Sequence, residues 1–76
     1  MKQVTPERAE LERYVVDVVG TNYAHQVTVW QAIGMVKAVH GLEERAALTH
    51  LSQRATEREL ALPELAALLV SRKEPL

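Results

Sequence analysis

Wound as a helix at about 100° per residue, the segment from Tyr23 to Val39 carries apolar side chains on two faces. Val29, Ala32, Ile33, Val36 and Val39 make one stripe; Tyr23, Val27, Trp30, Gly34 and Ala38 make a second, on the far side. A helix at the surface of a small bundle needs only one. Two readings account for the excess. In the first, this helix is the centre of the bundle, sandwiched between the helix before it and those after it. In the second, the Trp30 stripe meets a second copy of the chain or another protein. Gly34 and Ala38 are small enough for a partner helix to come close, and tryptophan is a typical interface anchor. The readings coexist if the preceding helix covers only part of the second stripe. The residues expected at such an interface are Tyr23, Val27, Trp30, Gly34 and Ala38.

A length of 76 residues implies a single domain, near the lower limit for a chain that buries its own core. With no Phe, one Trp and two Tyr, that core has to come from Leu, Val, Ile and Ala. Such side chains bury little area each, and at roughly 25 cal/mol per Å² a lone domain is marginally stable. A partner subunit or neighbouring domain adds what is missing. Cysteine is absent, which excludes disulfides and thiolate zinc sites. Met1 to Pro6 leads straight into charged residues and does not read as a signal peptide. No apolar stretch approaches the roughly 20 residues of a membrane span. The expected location is the cytoplasm, with no membrane partner.

Along the chain, Thr5-Pro6-Glu7 predicts a helix start: a hydroxyl cap, a proline where its missing N–H costs nothing, and an acid at the positive end of the dipole. Leu11, Tyr14, Val15 and Val18 recur at helical spacing as the apolar face of this first helix. Gly20-Thr21-Asn22 supplies a stop and then a cap for the second, which runs from about Tyr23 to Val39 and ends at His40-Gly41. The third helix is expected from near Leu42, with Glu44, Ala47, Leu48, Leu51 and Ala55 on one face. A loop over Glu59 to Leu62 leads to Pro63-Glu64 and a short fourth helix, with Leu65, Leu68 and Leu69 inward. Arg72 and Lys73 sit at its negative end, and Glu74-Pro75-Leu76 trails off.

The competing reading makes strands of Tyr14 to Val19 and Val27 to Trp30, which are rich in β-branched residues, with Gly20-Thr21-Asn22 in a hairpin loop. Val15-Val16-Asp17-Val18-Val19 does not alternate, however, and the three-to-four spacing from Leu11 continues through it. The expected fold is therefore an all-α bundle of three to four helices.

Net charge is −1, with both signs spread along the chain, so no basic surplus advertises a nucleic-acid surface. Arg54 and Arg58 lie one helical turn apart, and Lys37 lies on the second helix. Phosphate contacts need such residues on one surface, because binding grows with each phosphate neutralised. Glu57 and Glu59 flank Arg58, and a solvated helix face is the simpler reading of the arginines. His25, His40 and His50 lack metal-ligand spacing; His40 before Gly41 reads as a helix C-terminal residue meeting the dipole. No phosphate loop, nucleophile elbow or suggestive carboxylate pair appears, so neither an enzyme nor a cofactor is expected. A DNA-reading last helix would begin with Arg, Lys, Asn or Gln rather than Glu64, Ala66 and Ala67.

One run is more specific. Ala32, Gly34, Met35, Val36 and Gly41, then Ala47, Leu51 and Ala55, then Leu62, Leu65 and Ala66 follow a spaced pattern without a gap. In this the chain resembles the ANTAR domain, a small helical RNA-binding module of bacterial antitermination regulators, over about residues 29–70. The resemblance implies a unit of three helices, often following a receiver or sensor domain. It also implies dimers that bind paired RNA hairpins and prevent premature termination of transcription. Ile33 stands where the family usually carries Lys, Ser52 where an Arg is common, and Glu57 to Ala61 replace a basic or Asn-containing loop. Lys37, Arg54 and Arg58 are the basic residues left to meet RNA. Two functions are thus in view: an ANTAR-like regulator of transcription that binds structured RNA, or a protein–protein interaction or dimerisation module of the same architecture that binds none.

Overall fold

The computed structural model describes the backbone of residues 6–76 and the side chains from Ala9 onward. Among these residues it holds four α-helices and no strand: α1 (Pro6–Val19), α2 (Tyr23–His40), α3 (Glu44–Arg58) and α4 (Leu62–Val70). The all-α expectation agrees with this, and residues 14–19 and 27–30 are helical. The Thr5 cap expected for α1 lies outside the described residues. No helix is long and apolar enough to cross a membrane among the described residues.

The joints follow local chemistry. The Gly20 N–H donates to the Val16 carbonyl at 2.7 Å and closes α1. Two residues on, the Asn22 side chain accepts the His25 N–H at 3.0 Å and satisfies one of the free donors at the start of α2. Gly41 ends α2 in the left-handed region at φ 66°, its N–H bonded to the Lys37 carbonyl, where a side chain would be strained. α3 ends differently. Glu59 takes the left-handed position itself at φ 56°, and the Leu60 N–H reaches back to the Ala55 carbonyl. At α4, Glu64 accepts the Ala61 N–H at 2.9 Å, half of a capping box whose other half an alanine side chain has no acceptor to supply.

The core is aliphatic, as the composition requires. Leu11 and Val15 of α1, Val29, Ala32, Ile33 and Val36 of α2, Ala47, Leu48, Leu51 and Ala55 of α3, and Leu62, Leu65, Ala66 and Leu69 of α4 are buried together. α2 touches all three other helices and is the central one.

Several details depart from expectation, among them Leu68 of α4, which is half-buried and outside the core cluster. Tyr14 and Val18 of α1 are each 45% exposed, because α1 meets the bundle along the four-residue row Leu11–Val15–Val19 and these two stand one position off it. Val39 is 58% exposed in the last turn of α2, beyond the packed stripe. α3 starts two residues after Leu42: Glu43 is extended at φ −80° and ψ 170°, and Leu42 packs on the core instead of entering the helix.

The largest departure is the tail. Arg72 sits in the left-handed region at φ 63°, its N–H bonded to the Leu69 carbonyl, while the Lys73 N–H bonds to the Leu68 carbonyl. This is the Schellman pattern, and it reverses the chain after α4. Glu74 to Leu76 then fold back instead of trailing off. Leu76 packs against the core, and Glu74 is the one charged residue buried among the described residues.

Candidate functional site

On α3, Ala47, Leu48, Leu51 and Ala55 point inward. Arg54 and Arg58, four residues apart, share another face, and that face receives the tail. Arg54 donates through Nη2 to Glu74 Oε2 at 3.0 Å and through Nη1 to the Leu76 main-chain oxygen at 3.1 Å; it also donates to the Pro75 carbonyl. Arg58 Nη1 donates to the same Glu74 Oε2. Two guanidiniums thus converge on one carboxylate oxygen. The bond from Arg58 holds the Glu74 carboxyl below the ordinary glutamate range; burial opposes this, and Arg54 reinforces it.

The contact is half desolvated. The Arg54 side chain is 20% exposed and that of Glu74 9%, against 48% for Arg58. By contrast Arg45 and Glu10, which link α3 to α1 at 3.3 Å, are 52% and 61% exposed, the kind of ion pair that contributes little.

Lys37, the third basic residue singled out from sequence, lies in the last turn of α2 and is half-buried. Arg54 and Arg58 share α3 and converge on Glu74, whereas Lys37 stands on a separate helix. One turn after Lys37, His40 Nε2 meets the Leu76 main-chain oxygen at 2.9 Å. The His40 ring also lies 5.1 Å from that of His50, whose Nε2 is buried without a partner. His40 thus anchors the tail, which its position before Gly41 did not reveal. Among the described residues, no group of three His, Asp or Glu is placed to hold a metal ion.

The second apolar stripe of α2 is unevenly covered. Val27 and Trp30 are half-buried beside α1, along a groove that Val16 and Tyr23 also line. Tyr23 is 77% exposed, and Gly34 and Ala38 are open. A Cβ built on Gly34 meets nothing within 4 Å. A glycine in a helix interior costs about 1 kcal/mol relative to alanine. Nothing inside the bundle requires this one.

Glu74 is the site residue that sequence reasoning missed. No local signal pointed to it, since its partners lie 16 and 20 residues away on α3. Comparison of the chain with known protein families, with curated proteins and with solved structures finds no match.

Proposed function

We propose that the chain is an ANTAR-like helical regulatory module that binds structured RNA in transcription antitermination, as a dimer joined through α2. The role is non-enzymatic and belongs in the cytoplasm, where nascent transcripts are. One observation carries the reading. Of the residues that carry the resemblance, Ala32, Val36, Ala47, Leu51, Ala55, Leu62, Leu65 and Ala66 lie in the core and Gly41 ends α2, while Gly34 is exposed and Met35 half-buried. Most of the pattern thus helps hold α2, α3 and α4 together. Arg54 and Arg58 from α3 and Lys37 from α2 supply the phosphate contacts.

Contacts of this kind release counterions, so binding falls steeply with salt. The test is the affinity for hairpin RNA between low and moderate salt, for wild type and for the double variant Arg54→Ala, Arg58→Ala. The expected outcome is salt-sensitive binding whose log–log slope drops by about 1 for each arginine removed. RNA binding that ignores the double substitution, or no binding at any salt, contradicts the assignment.

The net charge of −1 favours a second reading, in which α2 docks a helix of another protein and no RNA is bound. An exposed glycine that the bundle does not need is explained by a partner backbone that comes close. Trp30→Ala distinguishes the two: in this second reading it abolishes all partner binding, whereas in the first RNA contacts on α3 persist, weakened by the loss of dimerisation.

A further inference from the structure

The arginines that would meet phosphate already hold an anion. We infer that Arg54 and Arg58 form an oxyanion site on α3 whose resident occupant is the Glu74 carboxylate, and that a phosphate group has to displace Glu74 to bind there. As regulation of RNA binding, the inference rests on the reading above; as an oxyanion site, it stands on the geometry alone.

Three features carry it. Both guanidiniums aim at a single oxygen, Glu74 Oε2, so the pair acts as one site and not as two surface charges. Guanidinium forks match phosphate as well as they match carboxylate, and a phosphodiester carries the same unit charge as Glu74. The occupant also lies outside the helices, beyond the Schellman turn at Arg72 and between the exposed Lys73 and Pro75. Besides the arginines, the holdfasts are His40 on the Leu76 oxygen and the partial packing of Leu76. Swinging the segment away breaks these contacts and leaves the hydrogen bonds of α4 intact.

Release changes the charge that a ligand meets. With Glu74 in place, its carboxylate offsets one of the two guanidinium charges, and Glu57 lines the same depression. With Glu74 gone, both guanidiniums are open to an incoming anion. The tail is therefore a tethered competitor: affinity for phosphate is reduced by the fraction of molecules in which Glu74 is seated.

The experiment compares wild type with Glu74→Gln, Glu74→Ala and the triple variant Glu74→Gln, Arg54→Ala, Arg58→Ala, each titrated with hairpin RNA and with inorganic pyrophosphate at low salt. Both single variants are expected to bind pyrophosphate and RNA about 10-fold more tightly than wild type, the gain expected if Glu74 is seated some nine-tenths of the time. That gain should vanish in the triple variant. On wild type itself, saturating pyrophosphate should shift the Glu74 side-chain carboxyl resonance, a readout that needs no substitution. A gain for pyrophosphate with no RNA binding by any variant upholds the oxyanion site and refutes the RNA assignment. RNA binding through the arginines that is equal in wild type and both Glu74 variants, with an unmoved Glu74 resonance, upholds the assignment and overturns this inference. A gain that survives in the triple variant overturns it as well.

Discussion

Along one face of α2, Val29, Ala32, Ile33 and Val36 are at most 1% exposed, whereas on the other Tyr23 is 77% exposed and Gly34 and Ala38 are open. Residue type alone does not separate the faces, since both are built of small and apolar side chains. What separates them is what lies opposite. α3 and α4 supply leucines and alanines to the first face, while α1 covers the second only at Val27 and Trp30. The first face holds the bundle together; the second keeps a glycine that the bundle does not use.

The sharpest way to break this contrast is to damage each face in turn. Ile33→Ala removes a side chain that is 1% exposed from the centre of the core. It should cost about 2–4 kcal/mol of unfolding free energy in a denaturant titration, a large share of what a domain this small has. Trp30→Ala should act mainly on association. We expect it to weaken self-association by about 2 kcal/mol, the scale of an interface hot spot, while the far-ultraviolet helical signal stays. Gly34→Ala should have opposite effects on the two processes: a helix more stable by about 1 kcal/mol in thermal melts, and a weaker dimer by sedimentation. A dimer unchanged by Gly34→Ala would mean that no backbone approaches there.

The smallest effect concerns the tail. Glu74 has a carboxyl pKa lowered by Arg58 and Arg54, so its contribution to stability is present above the ordinary glutamate range and is lost as pH falls through its depressed value. The stability difference between wild type and Glu74→Gln should therefore be constant near neutrality and shrink in acid, as read from denaturant midpoints across pH. A difference that does not change with pH would mean the carboxylate is not clamped.

What the sequence made legible was mostly local. The period from Leu11 through Val19 and from Val29 to Val36 identified helices despite the β-branched residues, because spacing reports which positions share a face. Asn22 and Gly41 marked the bounds of α2 through side-chain and backbone chemistry that acts within four residues. Tyr14, Val18 and Val39 were misplaced for the complementary reason: period shows that a face is apolar, not how wide a strip the neighbours cover. The tail was illegible for two reasons. Arg72 makes the left-handed turn that a glycine would have announced, and the partners of Glu74 lie 16 and 20 residues away on another helix. Helical spacing placed Arg54 and Arg58 together on α3, yet it could not say what faces them. The same limit applied to His40 and His50, which are ten positions apart in sequence and only 5.1 Å apart as rings.

The central claim is that α2 divides its two faces between a core and a second copy, and that the resulting dimer binds RNA. Light scattering on the chain mixed with hairpin RNA, for wild type and Trp30→Ala side by side, tests it most directly. The account expects a wild-type complex containing two 8.5 kDa chains with RNA, and a folded Trp30→Ala monomer that binds RNA weakly. A wild-type monomer that leaves the RNA free in solution would contradict both halves of the claim.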